Sequence, residues 1–370
     1  MIKVVEVINE MSSRGGAEVF FYNLCKELLK KSDVELFIIV LHSKIDPSFS
    51  DLISNDNRNV FIMSKRKGID PKASHLFKEL ISSIKPDVIN THLDVMFTYF
   101  FAFGLKKRKW RIIHTVHNIA NREASFFSRF LRNIYIKKGI LEHIGISDSI
   151  TKSIKMAFPG TLVTTIYNGI NLHEEKGCLA NGIDNKKYSY ICVARFSEQK
   201  NHKLLLSAFN SFYLKHNDAT MLCLGNGHLK ESIKKESSLL QCKNNFIIHD
   251  AVADVYPFLH ASKCFVLASL YEGNPISILE AMSVGLPIVA PCVGGIPDVV
   301  ENGRNGFLFE PNNEKELIDC LKEAYESKNI DEMRKNNIEK SKKYSIKATC
   351  DLYVNAFYRI SGNGALNYDK

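Results

Sequence analysis

The chain has 370 residues, of which 45% are hydrophobic and 24% charged, with a formal net charge of +9. That balance supports a packed core of about two α/β domains and excludes intrinsic disorder. Nine cysteines are scattered without a C-x-x-C pair or a zinc-type Cys/His grouping, so buried thiols in a reducing compartment are expected.

In the first half, Val/Ile-rich runs alternate with helical patterns, the signature of βαβ units and a parallel sheet. Strands are expected at Lys3–Ile8, Val34–Leu41, Val60–Met63, Val88–Thr91, Ile112–Val116 and His143–Ile146. Charges interrupt the first of these, so it reads as a strand rather than as the apolar core of a signal peptide. Between the first two strands, Ala17, Phe20, Phe21, Leu24 and Leu28 recur at helical spacing. The longest apolar run, Val95 to Leu105, has eleven residues. A bilayer span needs roughly 20 residues, so a buried helix or a shallow membrane contact is expected there.

Tyr167-Asn168-Gly169-Ile170 carries a turn signal and the polar stretch Asn171 to Lys187 follows, which places a domain boundary near 168. The pattern then restarts with strands at Tyr190–Ala194, Thr220–Leu224, Phe246–His249, Cys264–Ala268 and Pro287–Ala290. Two such open α/β halves facing each other would form a ligand cleft at the C-terminal edges of their sheets.

Charge is uneven between the halves. Residues 1–168 carry 25 Lys/Arg against 16 Asp/Glu, whereas residues 169–370 carry 24 against 24. From Lys106 to Lys138 there are ten basic residues and one acid, Glu123, interleaved with Trp110, Phe126, Phe127, Phe130 and Tyr135. A solvated basic face is the plain structural reading. Basic residues mixed with aromatics also suit a helix resting on an anionic membrane surface. No nucleic-acid motif accompanies them, so a nucleic-acid partner is not expected.

The densest chemical signal runs from Tyr271 to Pro287. Asn274 is expected to cap a helix that opens at Pro275, and Gly285 to end it, with Pro287 beyond. Glu272 then lies in the loop before the helix and Glu280 inside it. Ile276, Ile278, Leu279, Ala281, Met282 and Val284 make the helix apolar nearly all round, so it should be buried. An ionised carboxylate accepts hydrogen bonds only, which suits the vicinal diol of a ribose. Equally, Glu272 could be a surface acid and Glu280 a partner of a buried cation. Upstream, Arg195 and Lys200 follow a strand and together could hold a diphosphate; two ordinary surface cations are the alternative. Arg14-Gly15-Gly16-Ala17-Glu18, between the first strand and first helix, would let backbone approach an anion, or form a simple tight turn. Gly225-Asn226-Gly227 invites the same two readings.

Taken in order, these features resemble the retaining family-four glycosyltransferases of the GT-B fold. The resemblance spans Gly15-Gly16-Ala17-Glu18, Thr115-Val116-His117-Asn118, Tyr167-Asn168-Gly169-Ile170, Arg195 with Lys200, and Glu272 to Glu280. Gly294-Gly295-Ile296-Pro297-Asp298 and Asn305-Gly306-Phe307-Leu308-Phe309 complete it. It implies an α/β architecture of two Rossmann-like domains facing each other across a cleft. Residues 1–168 would lie on the acceptor side, with a helix at about 345–362 packing back on them, and residues 169–344 would bind a nucleotide sugar. By the same resemblance, Arg195 and Lys200 would neutralise the departing diphosphate, Glu280 would bind the ribose, and Glu272 would lie beside the reacting sugar carbon. His117 would face that sugar, and His114, two strand positions from Val116, should point elsewhere. Gly15 and Gly16 would complete the phosphate cradle, and Val252, Gly273, Asn274, Pro275 and Ile276 would line the donor site. No Asp-x-Asp motif marks a nucleotide metal, so a metal-independent reaction without a cofactor is expected.

The implied reaction moves a hexose or N-acetylhexosamine, most simply from a UDP-sugar, to a saccharide or polyprenyl-diphosphate-linked acceptor in surface polysaccharide or lipopolysaccharide synthesis. It would run in the cytoplasm, with a peripheral contact to the inner face of the membrane. A nucleotide-sugar 2-epimerase and a non-catalytic saccharide- or membrane-binding protein are the competing readings. Loss of Glu272 or Lys200 would leave the latter unaffected.

Overall fold

The computed structural model describes residues 1–11, 15–53, 59–66, 70–93, 95, 110–123, 126–172 and 187–362. Two compact units divide the chain: Met1–Asn171 with Ile346–Lys370, and Leu172–Ser345.

The first unit holds a seven-stranded sheet in the order β3-β2-β1-β4-β5-β6-β7. Its strands are β1 (Ile2–Ile8), β2 (Val34–Val40), β3 (Val60–Ile62), β4 (Val88–His92), β5 (Arg111–Val116), β6 (Leu141–Gly145) and β7 (Val163–Thr165). Every pairing is parallel. Helices cover both faces, so central strands are buried throughout and read as nearly continuous apolar runs, as in Val4-Val5 and Ile112-Ile113. Local chemistry fixes the helix ends. Asp70 accepts from the Ala73 amide at 3.1 Å, ahead of Pro71, and Lys85 at φ +51° closes the helix Pro71–Ile84. The helix Ile346–Ser361 belongs to this unit. Its Tyr353, Val354 and Phe357 are buried, and Tyr353 lies 5.9 Å from the ring of Phe20 on the helix Gly16–Leu28.

The second unit holds a six-stranded parallel sheet in the order β10-β9-β8-β11-β12-β13. The strands are β8 (Tyr188–Val193), β9 (Met221–Leu224), β10 (Phe246–His249), β11 (Ser262–Val266), β12 (Ile288–Pro291) and β13 (Gly306–Phe309). Strand order reverses direction between β1 and β4 in the first sheet, and between β8 and β11 in the second. Loops leaving the C-terminal ends of strands at such a switch point diverge and leave room for a ligand.

Two expectations need correction. The helix after Glu272 begins at Ile276, not Pro275, and no side chain caps it. Pro275 itself occupies the cap position with extended backbone (ψ 114°), and its carbonyl accepts from the Ile278 amide at 3.1 Å. The interfacial reading of the basic segment also loses its geometry in part. Trp110 and Tyr135 are core residues, and even Arg132 on the helix Phe126–Lys137 is fully buried, whereas Phe130 is exposed. The protein core claims aromatics that the mixture of charge and rings had offered to a membrane surface. Lys106–Lys109, the run from Met96 to Leu105, and the side chains of Phe126 and Phe127 lie outside the described residues. Among the described residues, no helix is long and apolar enough to cross a membrane.

Candidate functional site

In the second unit, the switch point brings the expected residues to neighbouring loops. Arg195 leaves the end of β8 exposed to solvent, and Phe196 turns inward to stack on His202 at 4.0 Å. A short turn, Glu198–Lys200, follows, and Asn201 at φ +49° ends it and caps the helix His202–Tyr213. This turn carries Lys200 to the loop after β11, where Lys200 Nζ donates to Glu272 Oε1 at 2.5 Å. Glu272 is buried and Lys200 half-buried, so each is held largely by the other.

Gln199 joins the two loops a second time. Its side chain donates to the Tyr271 carbonyl at 2.9 Å, and its own carbonyl accepts from the Leu270 amide at 2.8 Å. Sequence reading passed over Gln199; its place between two candidate cations was the available signal. The glycines of the next loop complete the support. Gly294 has φ +55°, and a Cβ there would stand 1.7 Å from the Glu272 carbonyl oxygen, while the Gly295 amide donates to the Gly273 carbonyl at 3.0 Å. Gly225 and Gly227 have a similar duty beneath Arg195. Added Cβ atoms would fall 2.0 Å from the Ala194 carbonyl and 2.2 Å from that of Phe196, so close backbone approach accounts for both.

The remaining expected residues of this unit are spread along the same sheet edge. Glu280 is half-buried on the helix Ile276–Ser283; burial of the Tyr256 hydroxyl, and then the Glu280 charge, raise that hydroxyl above its ordinary range. That helix ends in paired bonds, from Gly285 to the Met282 carbonyl and from Leu286 to that of Ala281, both at 2.9 Å, with Gly285 at φ +77°. Asn274 and Ile276 are buried with Pro275 beside Glu272 in sequence. Val252 follows β10, the edge strand, and is half-exposed.

In the first unit, Gly15 is extended (φ −74°, ψ 159°) and begins the helix Gly16–Leu28. A Cβ built on Gly16 would meet no described atom within 4 Å. Packing inside the unit therefore does not demand glycine at 16. Arg14 lies outside the described residues.

His117 follows β5 and is tied at both backbone and ring. Its amide donates to Glu123 Oε2 at 2.8 Å, and its Nε2 lies 2.9 Å from His92 Nδ1. Behind it stands a buried polar chain that sequence reading missed. His92 Nε2 lies 2.8 Å from Glu6 Oε2, and Asn90 donates to both Glu6 oxygens at 3.0 Å. Thr115 donates to Asn90 Oδ1 at 3.1 Å and lies 3.2 Å from the Tyr353 hydroxyl. Parallel register explains the assembly, since Glu6 sits beside Asn90 and Ile8 beside His92. Burial pushes the Glu6 carboxyl up to about 8 against the Asn90 hydrogen bond. Burial likewise pushes His92 and His117 down to about 3. His114 belongs to other contacts, with Thr91 at 2.7 Å and Glu123 at 2.8 Å. Among the described residues, no group of three or more His, Cys, Asp or Glu is arranged to hold a metal ion.

Comparison with known proteins matches both units. Residues 14–174 match Glycosyltransferase Family 4, and residues 179–344 match Glycosyl transferases group 1. A UDP-Gal:alpha-D-GlcNAc-diphosphoundecaprenol alpha-1,3-galactosyltransferase of Escherichia coli is 25% identical over 325 residues, covering 82% of this chain and 84% of that protein. An alpha-monoglucosyldiacylglycerol synthase of Acholeplasma laidlawii is 24% identical, covering 64% of this chain and 66% of its own. The crystal structure of Anabaena HepE in complex with UDP superposes with a TM-score of 0.78 at 17% identity, covering 97% of this chain and 100% of that one.

Proposed function

For a chain that belongs to the family-four glycosyltransferases of the GT-B fold, we propose transfer of a hexose or N-acetylhexosamine from a UDP-sugar to a saccharide or lipid-linked saccharide, with retained configuration. The observation that carries this reading is the Lys200–Glu272 pair at the β8/β11 switch point. A cation and a carboxylate fastened at one edge suit a reaction in which a diphosphate departs and a sugar carbon turns positive. Lys200 and Arg195 would take up the charge growing on the leaving diphosphate, an effect worth on the order of 10²–10³ in rate for one well-placed donor. Diphosphate contact draws Lys200 from Glu272 and frees that carboxylate to accept from sugar hydroxyls. Glu280 would accept from the ribose diol.

In the first unit, the open Cβ position of Gly16 would let an anion reach the amides that open its helix. The departing phosphate would itself take the acceptor proton, so the acceptor attacks from the leaving-group face. The E. coli relative uses UDP-Gal and a diphosphoundecaprenol-linked acceptor, and HepE was crystallised with UDP; both favour uridine, and the first favours a lipid-linked saccharide.

A thermal-shift panel of UDP, GDP, ADP and their common sugar conjugates tests the reading. Ligand bound at a hundred times its Kd adds about 2.7 kcal/mol, so UDP and one UDP-sugar should raise Tm by several degrees. A flat response across the panel from cooperatively unfolding protein would sink the proposal.

A further inference from the structure

The Glu6–His92–His117 chain does more than fill the first unit's core. Three groups and two shared protons define it, and its geometry fixes where each proton lies. Thr115 donates to Asn90 Oδ1, so the Asn90 amide turns its NH₂ towards Glu6. That NH₂ also lies 3.0 Å from His92 Nε2. A donor facing a bare ring nitrogen is favourable and a donor facing N–H is not, so His92 Nε2 carries no proton. Its partner at 2.8 Å, Glu6 Oε2, must then donate, which requires a neutral carboxyl. Burial supplies that state at neutral pH. A neutral His92 holds its one proton on Nδ1 and gives it to His117 Nε2. The proton of neutral His117 is thereby left on Nδ1, a buried atom that finds no partner among the described residues.

We infer that Glu6 and His92 are positioning residues that make His117 a hydrogen-bond donor at Nδ1, available to an oxygen of a bound ligand. That the ligand is a transferase substrate rests on the proposed function; the tautomer does not. Ionisation of Glu6 reverses the chain. With one proton lost to solvent, His92 Nε2–H donates a hydrogen bond to the Glu6 carboxylate, His117 Nε2–H donates to His92 Nδ1, and His117 Nδ1 is left a bare acceptor. The titratable groups facing the chain are Cys25 from the helix Gly16–Leu28, Cys350 and Tyr353 from the last helix, Glu123 beside His117, and His114 on β5, which burial holds neutral. Burial raises Cys25 and Tyr353 well above their ordinary values and Cys350 to about 12, so all three stay protonated while Glu6 titrates.

The test is ¹⁵N NMR of histidine-labelled full-length protein, free in solution, at about pH 6.5 and about pH 9.5, on either side of the Glu6 transition. At the lower pH, His117 should show a protonated Nδ1 and a bare Nε2; at the higher pH the two should exchange. In Glu6→Gln the amide donates to His92 Nε2 at every pH, so His117 should keep its Nδ1 proton at both. A protonated Nε2 at the lower pH, or a Glu6→Gln protein that titrates like the wild type, would overturn the inference. Should Glu6→Gln fail to fold, the wild-type spectra alone decide. UDP titration of the same samples separates the two readings: the expected tautomer without UDP binding removes the transferase assignment only. UDP binding with the wrong tautomer removes the relay only.

Discussion

Both units use one plan, a parallel sheet with a switch point, yet they hold their candidate residues in opposite ways. In the second unit the site loops are fastened to each other: Lys200 to Glu272, Gln199 to Tyr271, and the Gly294 turn against the Glu272 backbone. In the first, the Gly15-Gly16 turn is open, and the order lies behind the site in buried side chains that cross from β1 to β4 to β5. Backbone fastening fixes the loops that carry Lys200 and Glu272. Buried polar relay fixes a single ring whose proton matters.

The contrast breaks most sharply at Gly294. Gly294→Ala forces a β-carbon into the Glu272 carbonyl at a backbone angle that L residues rarely adopt. The loss should exceed about 3 kcal/mol, or folding should fail, as chemical denaturation will read. Retained stability would show that the two loops are not fastened. Next in size is the ion pair. Lys200 is not the isolated exposed cation that its sequence suggests, because Lys200→Ala strands the buried Glu272. That variant should lose about 1–3 kcal/mol, and Lys200→Ala/Glu272→Gln should recover most of it. Equal stability of the single and double variants would place the pair in solvent. The smallest effect belongs to Gly16→Ala, which should change stability by less than about 1 kcal/mol in either direction while weakening UDP binding. A large loss of stability would make Gly16 a structural glycine like Gly294.

Much of the fold was legible because buried parallel strands read as apolar runs. Strands β7 and β13 were not read as strands. Val163–Thr165 is a short, half-buried edge segment, and Gly306–Phe309 stood only as part of a family motif. Lys200 and Glu272 were legible as candidates, but not as partners, since 72 residues separate them. Glu6 was hidden for a physical reason. An acid within a strand reads as a surface charge unless the neighbouring strand is known to place Asn90 and His92 against it, and only register supplies that knowledge. The aromatics among the basic residues misled in the opposite direction, since Trp110 and Tyr135 serve the core.

The helix Ile346–Ser361 has a consequence for the order of manufacture. It supplies Tyr353 to the buried polar cluster around Thr115, yet the ribosome makes it only after all of residues 172–345. At about 5–20 residues per second, the N-terminal strands wait roughly ten to forty seconds for their last core helix. The later-encoded unit, contiguous in sequence, can close during that interval. In this chain the portion begun first is the portion finished last.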